Sequence, residues 1–184
     1  MLFIKGENEV TKEMIVETAL KSVEEKGIEH LNARILAKYL HCSTQPIFRV
    51  YDKMEDLKYD LKLKMDQIYT EFISCYIGEM NTIETMSMAY IKFAQLKPRL
   101  FEALFITMKN CRSMNEVLNS SWNIETIKQI ANHYHLNDLQ AQNLYLNIRF
   151  YSMGIAFLIY SENLKITDEE IESLIKQATL QFLK

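Results

Sequence analysis

Turn-forming residues are scarce in this chain, whose 184 residues include only four glycines and two prolines. An all-β protein needs such residues in its many tight turns, so the composition disfavours that fold class. Uncharged stretches are also short, since the longest one is the twelve-residue segment Phe150–Ser161, and a membrane span needs about 20 apolar residues. The N-terminus lacks the apolar core of a signal peptide. We therefore expect a soluble globular protein with no membrane partner.

Cysteines and catalytic motifs are sparse as well. The three cysteines are an odd number, which favours free thiols and a cytoplasmic location. The chain has no glycine-rich phosphate loop, no Gly-x-Ser-x-Gly motif and no paired carboxylates. His133 and His135 are two residues apart, whereas a helical zinc pair needs histidines three or four apart. We expect no catalytic residue, no metal and no cofactor.

Apolar residues recur at helical spacing along most of the chain, and no segment alternates with a period of two. Several helix starts are marked by pairs of residues with the spacing of a capping box. These pairs are Asn81 and Glu84, Ser113 and Glu116, Asn137 and Gln140, and Thr167 and Glu170. The prediction is an all-α fold of nine or ten helices, one of which is long and ends near Ile77.

Residues 31–57 predict two short helices joined by a tight turn, followed by the start of a third. Asn32 is suited to cap the first helix, and Ser43 is suited to cap the second. The turn lies at His41, a residue type that tolerates a left-handed backbone. Pro46 falls in the first turn of the second helix, where it breaks no intrahelical hydrogen bond.

The second short helix has one apolar face and one polar face. Ile47, Val50 and Tyr51 share the first face, which we expect to be buried. The opposite face carries Thr44, Gln45, Phe48 and Arg49. This pattern is typical of a helix-turn-helix whose second helix enters the major groove of DNA.

The side chains on the exposed face suit base recognition. Gln45 can pair with adenine and Arg49 with guanine, while Asn32, Arg34 and Lys53 are better placed for phosphates. Residues 30–64 hold seven basic and four acidic side chains, a local charge of +3 in a chain of net charge −3. The predicted DNA-binding residues are Asn32, Arg34, Ser43, Thr44, Gln45, Pro46, Phe48, Arg49 and Lys53.

From Thr11 to Leu57 the chain resembles the DNA-binding domain of the tetracycline-repressor (TetR) family of bacterial regulators. The matching landmarks are Gly27, Arg34, Leu36-Ala37, Ser43, Ile47-Phe48, Tyr51, Glu55 and Leu57. Three places depart from the family pattern: His41 replaces a turn glycine, Phe48 replaces a tyrosine, and Lys53-Met54 replaces a small polar residue and a lysine. The resemblance implies a ligand-responsive repressor that binds a palindromic operator in double-stranded DNA as a homodimer.

The resemblance also implies two domains, a helix-turn-helix domain at residues 1–53 and a helical effector-binding and dimerisation domain at residues 54–184. Many aromatic and methionine side chains in the second domain suit a cavity between helices five to eight that binds a small apolar or aromatic effector. A closed core is the alternative. The predicted ligand-binding residues are Met86, Tyr90, Phe93, Phe105, Trp122, Tyr145 and Tyr151.

The last two predicted helices carry more apolar surface than a monomer needs. The resemblance implies a four-helix interface made by these helices from two subunits, although burial within one subunit is the alternative. The predicted interface residues are Tyr151, Ile155, Leu158, Ile171, Leu174, Ile175 and Ala178. Two other functions remain open: a protein-interaction adaptor that has lost DNA binding, and an all-α enzyme.

Overall fold

Helices make up most of the described part of the chain. The computed structural model describes residues 10–77, 82–108, 113–119 and 121–184, apart from the side chains of Met114, Val117, Ser121 and Trp122. Of these residues 83% are helical and none forms a strand, which confirms the predicted all-α fold. The helices are α1 (Lys12–Lys26), α2 (Ala33–Tyr39), α3 (Gln45–Val50), α4 (Met54–Ile77), α5 (Ile83–Leu96), α6 (Pro98–Phe101), α7 (Met114–Leu118), α8 (Ser121–Tyr134), α9 (Asp138–Glu162) and α10 (Asp168–Phe182).

Two short segments complete this order. A 3₁₀ turn, Ile28–His30, follows α1, and a π-helical segment, Glu102–Thr107, continues α6. The sequence predicted one regular helix from Arg99 to Lys109 here; Lys109 lies outside the described residues. None of the helices in the described ranges has the length and apolar character that crossing a bilayer requires.

Capping side chains start most of the helices. The predicted capping boxes at Ser113, Asn137 and Thr167 are confirmed, each with its partner three residues later. The prediction for the start of α5 is wrong, because Thr82 and Thr85 form the capping box in place of Asn81 and Glu84. Asn81 lies outside the described residues. Glu84 instead accepts a hydrogen bond from the Tyr134 hydroxyl at 2.6 Å.

Helix ends use left-handed residues other than glycine. His41, His135 and Asn163 have φ values of 52°, 55° and 53° at the ends of α2, α8 and α9. At His41 the turn is a Schellman motif, with the Cys42 amide donating to the Ala37 carbonyl at 3.0 Å. Gly27 ends α1 with φ 90° and ψ 160°, a conformation open essentially to glycine alone.

One hydrophobic core extends from the helix-turn-helix into the rest of the molecule. Its buried members include Ile15 of α1, Ile47 of α3, Leu57 of α4 and Phe93 of α5. The buried face of α4 rotates along its length, because its first half packs against α1 and its second half against α5. Tyr76, near the end of α4, is exposed.

Candidate functional site

The helix-turn-helix is assembled by short-range contacts. Asn32 caps α2 by accepting a hydrogen bond from the Ile35 amide at 3.0 Å, and its own amide group donates to the His30 carbonyl at 3.0 Å. Both ends of this side chain are thus engaged within the protein. Its role in the structure is to fix the start of α2, which presents Arg34 at the surface.

The start of α3 differs from the sequence prediction. Thr44, not Ser43, precedes the helix, and it makes no capping hydrogen bond through its side chain. Pro46 explains the difference, because it removes an amide in the first turn that a capping oxygen at Ser43 would otherwise accept from. Ser43 remains exposed at the turn.

The exposed face of α3 carries Gln45, Phe48 and Arg49. Phe48 is 46% exposed, a large value for a phenylalanine on a short helix, while Ile47 is buried beneath it. Val50 was predicted to be buried but is 37% exposed. It lies about 60° around the helix from Ile47, at the edge of the buried face.

Cations around this face lack carboxylate partners. Within the part of the chain that the structure describes, Arg34, Lys38 and Arg49 form no ion pair. Lys53 approaches Asp56 only at 3.9 Å, with both side chains largely exposed, so water and salt screen that pair. The surface around α2 and α3 is therefore positively charged.

Three acidic residues of α1 have partners within the protein. Glu17 pairs with Lys64 at 3.4 Å and Glu24 pairs with Lys97 at 3.1 Å. Glu25 accepts a hydrogen bond from the Tyr39 hydroxyl. Glu17 and Glu24 are therefore paired with cations outside the helix-turn-helix, whereas Glu25 lies against the end of α2.

A polar cluster links the end of α3 to α4. The Tyr51 hydroxyl donates to Asp60 Oδ2 at 2.9 Å, and Lys12 Nζ lies 2.8 Å from the same carboxylate. The hydrogen bond from Lys12 lowers the pKa of Asp60, and the one from Tyr51 adds to this effect. Burial, followed by the bond to Asp60, raises the pKa of Tyr51. Asp60 therefore connects α1, α3 and α4.

The C-terminal helices enclose a cavity of about 410 Å³. Its walls come from α4, α5, the π-helical segment, α8 and α9. Four of the residues predicted to bind a ligand line it, namely Met86, Tyr90, Phe105 and Tyr145. The structure therefore brings together much of the predicted set, although α4 contributes a wall that the sequence hypothesis did not include.

Two of the other three predicted ligand residues, Phe93 and Tyr151, do not line this cavity. Phe93 is fully buried behind it, where its ring contacts Tyr69 and Phe105 edge-on. Tyr151 packs between two hydrophobic clusters. The side chain of Trp122 lies outside the described residues.

Sequence reasoning missed the polar groups of the cavity. Arg149 of α9 lies in the lining, and its Nη1 donates to the Tyr145 hydroxyl at 2.8 Å. Lys62 and Asp66 of α4 also line the cavity and pair with each other at 2.7 Å. The spacing of Tyr145, Arg149 and Ser152 on one face of a helix was the signal that could have identified them.

Burial raises the pKa of the cavity tyrosines. The effect is largest at Tyr69 and Tyr90, where the positive charge of Arg149 opposes it. At Tyr145 the charge and the hydrogen bond of Arg149 offset part of the same rise in pKa. These phenols are therefore neutral hydrogen-bond donors at physiological pH.

Most of the predicted dimer residues are buried within one subunit. Ile171 and Ile175 are 0% exposed, because the apolar stripe of α10 packs against α5 and α9. Ile155 and Ala178 are buried as well, and Tyr151 and Leu174 are half-buried in the same packing. Ile171 and Ile175 therefore match the alternative of burial within one subunit. Tyr151 and Leu174 keep accessible surface, so an interface at these two residues stays a prediction.

Leu158 belongs to a different apolar face. This outer face of α9 consists of Phe150, Met153, Gly154, Phe157 and Leu158, all of which are exposed. Phe157 alone is 51% exposed. A Cβ atom added to Gly154 would meet no atom of the subunit within 4 Å.

Comparison with known proteins identifies no family for this chain. No protein-family model matches the chain, and no curated protein matches it either. Within the described ranges, no group of three or more histidine, cysteine, aspartate or glutamate side chains is arranged to hold a metal ion. The features that bear on function are therefore the helix-turn-helix surface, the cavity and the outer face of α9.

Proposed function

We propose that this protein is a TetR-like transcriptional regulator, a cytoplasmic repressor that binds operator DNA through α3. The observation that carries this proposal is the exposed face of α3, where an amide, an aromatic ring and a guanidinium stand beside cations without carboxylate partners. Such a face matches a major groove, whose floor offers donors and acceptors and whose rims are phosphates.

Gln45 and Arg49 are the residues that read bases. They are four residues apart in α3, so their side chains project from the same face one turn apart. Gln45 pairs with adenine and Arg49 with guanine, both through bidentate hydrogen bonds. Arg34, Lys38 and Lys53 contact phosphates, which fixes the orientation of the helix without reading sequence.

The regulator acts as a homodimer through the outer face of α9. The exposed apolar side chains of this face support the proposal, because contiguous apolar surface is rare on a monomer. Gly154 supports it further. A glycine within a helix costs about 1 kcal/mol relative to alanine, and nothing inside the subunit requires one there. Close approach of the partner's α9 supplies a reason for it.

Replacing Gly154 tests this interface. Gly154→Leu should dissociate the dimer in sedimentation equilibrium, because the new side chain occupies the space that the partner helix needs. Lys21→Leu, which adds the same side chain to the exposed face of α1, is the matched control and should leave the mass unchanged. A Gly154→Leu dimer as tight as the unmodified one would place the interface on another surface.

Helix α4 couples the cavity to DNA binding. It carries Asp60, which bonds to Tyr51 at the end of α3, and it also carries Asp66, Tyr69 and Ile73 of the cavity lining. A ligand that favours one placement of α4 would change the separation of the two recognition helices in the dimer. Release of the operator follows from that change.

Selection of bound sequences from random DNA with the purified protein is the deciding experiment. A two-fold symmetric consensus is the expected result, since a symmetric dimer places two equal helices on the duplex. Arg49→Ala should weaken binding to that consensus, while Arg99→Ala should not, because Arg99 lies next to Glu102 outside the helix-turn-helix. Failure to enrich any sequence would rule out the proposed function.

A further inference from the structure

The cavity contains a cation that has no carboxylate partner among the described residues. Arg149 bonds to the hydroxyl of Tyr145 and lies 5.8 Å from the centroid of the same ring. A guanidinium carries five N–H donors, so one hydrogen bond to a neutral phenol leaves most of them available. The half-buried position of Arg149 strengthens its attraction for an anion, because water screens the charge less there.

The charges of the lining do not cancel. Lys62 and Asp66 neutralise each other through their 2.7 Å ion pair, and Arg149 is the third charged residue of the described lining. Two cations and one anion leave one positive charge facing the cavity. A neutral ligand would leave the guanidinium without a counter-ion, and a cationic ligand would be repelled.

Two further hydroxyl groups accompany the guanidinium. Tyr69 and Tyr90 line the cavity, and neither hydroxyl forms a hydrogen bond within the described part of the chain. The rings of Tyr69 and Tyr90 meet edge-on with their centroids 6.5 Å apart, and both residues line the cavity together with Arg149. Because burial keeps the phenols protonated, each can donate to an acceptor atom. Arginine and tyrosine donors together match a carboxylate group.

The remaining lining combines apolar side chains with the polar residues Thr70, Ser87, Asn123, Thr126 and Ser152. The hydroxyl groups of Thr70, Ser87 and Ser152 already donate to backbone carbonyls of their own helices. Ile73 of α4, Met86 of α5 and Phe105 of the π-helical segment line the cavity on three elements. Its volume of about 410 Å³ lies toward the lower end of the range of about 300–1,000 Å³ that is usual for small-molecule sites. A ligand that fits combines a single charged group with a compact apolar body.

We propose that the cavity binds a small monocarboxylate with an apolar body. Its carboxylate accepts hydrogen bonds from Arg149, Tyr69 and Tyr90, and its body packs against Met86 and Phe105. The proposal depends on the proposed function only in naming this monocarboxylate as the effector. Binding itself is independent of DNA.

Four probes with the same octyl-length chain test the headgroup: octanoate, octan-1-ol, octylamine and octyl phosphate. Isothermal titration calorimetry without DNA should show the tightest binding for octanoate. Octan-1-ol keeps the apolar body but lacks the charge, octylamine reverses the charge, and octyl phosphate carries more charge than the lining balances. Tighter binding of any of these three, or no binding of octanoate, would overturn the proposal.

Substitution of the cation is the second part of the test. Arg149→Met keeps the length and helix propensity of the side chain, and it should weaken octanoate about 10- to 100-fold, the usual effect of losing a hydrogen bond to a charged group. Binding of octan-1-ol should not change. Arg99→Met, at a surface arginine outside the cavity lining, is the matched control and should leave octanoate binding intact. Equal losses for octanoate and octan-1-ol would show that Arg149 only maintains the shape of the cavity, and the proposal would fail.

A milder variant tests the same proposal if Arg149→Met does not fold. Tyr90→Phe removes one hydroxyl group and keeps the ring among Tyr69, Phe101 and Phe105, so it should fold normally. It should weaken octanoate severalfold and leave octan-1-ol unchanged. Unaltered octanoate binding in this variant would contradict the proposed role of its hydroxyl.

The outcome for DNA is measured separately. If octanoate binds and no DNA sequence is selected, the cavity assignment stands and the proposed regulatory function fails. If a symmetric DNA sequence is selected and octanoate does not bind, the regulatory function stands and the monocarboxylate assignment fails.

Discussion

Arg49 and Arg149 place the same side chain in two contrasting environments. Arg49 is exposed on α3, a helix of six residues whose faces are set by its immediate neighbours. Arg149 is half-buried on α9 and faces a cavity whose walls come from helices distant in sequence. The first position follows from a local pattern, while the second depends on long-range packing. A surface site of this kind is therefore easier to predict from the sequence than a cavity is.

The two environments are also physically connected. Helix α4 contributes Leu57 to the core beneath the helix-turn-helix and Tyr69 to the cavity. One continuous cluster of buried residues covers both regions. The two sites thus differ in chemistry but depend on the same core for their stability. This common dependence can be tested.

The largest expected effect concerns this shared core. Leu57→Ala should lower the free energy of unfolding by about 2–5 kcal/mol, because Leu57 is 0% exposed and truncation leaves a cavity. Thermal unfolding followed by circular dichroism should remain a single transition, since both regions share the affected core. Octanoate affinity should be unchanged below the transition.

Leu63→Ala is the control on the same helix. Leu63 is 52% exposed, so its truncation should change stability by less than about 0.5 kcal/mol. Two separate unfolding transitions in Leu57→Ala would show that the helix-turn-helix and the cavity region unfold independently. The claim that one core stabilises both regions would then be wrong.

The next effect separates reading of DNA from positioning on it. Gln45→Ala should reduce discrimination at one base pair in each half-site by about 1–3 kcal/mol, the value of a bidentate contact. Affinity for random DNA should hardly change. Competitive binding with single-base variants of the selected site measures both quantities.

Lys38→Ala is the matched variant for the rim of the same surface. It removes an exposed cation, so it should weaken all sequences alike and reduce the dependence of affinity on salt. If Gln45→Ala also weakens all sequences by one factor, α3 does not read the groove in the proposed way.

The features that sequence predicted correctly are those fixed by neighbouring residues. The left-handed conformation at His41 and the capping boxes at Asn137 and Thr167 depend on contacts within a few positions. Ser43 does not cap α3, because the helix begins one residue later than predicted, after Thr44, and Pro46 removes one of the two amides that a cap at Ser43 could accept from. That error was itself local and could have been avoided.

The incorrect and missed features depend on partners distant in the chain. An apolar stripe such as the one at Ile171 and Ile175 has the same pattern whether it packs inside a subunit or between subunits. Nothing in the sequence distinguishes these cases, since only the position of α5 and α9 decides them. Arg149 shares a helix face with Tyr145 and Ser152, a spacing that the sequence shows, but the cavity that this face lines depends on walls from α4 and α5.

A moderate effect is expected at the link between α3 and α4. Asp60→Asn should lower stability at pH 7 by about 1.5 kcal/mol, the usual contribution of a hydrogen bond to a charged group. Hydrogen bonds hold the folded pKa of Asp60 below its ordinary value of 3.8. The stabilisation is therefore complete above pH 3.8 and disappears as the pH falls through the lowered folded pKa.

Urea unfolding at several pH values measures this difference between Asp60→Asn and the unmodified protein. Asp56→Asn is the control, because Asp56 meets Lys53 only at 3.9 Å on the surface and should contribute little. A destabilisation by Asp60→Asn that stays constant down to pH 2 would mean that the charge of Asp60 is not its source.

The smallest effects compare the same backbone conformation in the two regions. His41 ends α2 beside the DNA-binding surface and His135 ends α8 far along the chain, with φ values of 52° and 55°. A left-handed conformation costs a residue with a Cβ atom about 1–2 kcal/mol, a cost that glycine does not have. Glycine has greater freedom in the unfolded chain, however, and ordering it costs about 0.5–1 kcal/mol more. His41→Gly and His135→Gly should therefore each stabilise the protein by roughly 0.5–1 kcal/mol, seen as a rise in Tm of a few degrees.

The two glycine variants should differ in their response to DNA. His41→Gly relaxes the turn that sets the angle between α2 and α3, while the Schellman hydrogen bond from Cys42 to Ala37 keeps that turn closed. We expect operator affinity within about threefold of the unmodified protein in His41→Gly, as for a surface change that leaves its contacts intact, and no change at all in His135→Gly. A His41→Gly protein that is stabilised like His135→Gly but no longer selects its operator would show that the imidazole itself takes part in binding. A His41→Gly protein that is destabilised would show that the side chain, and not the backbone, determines the turn.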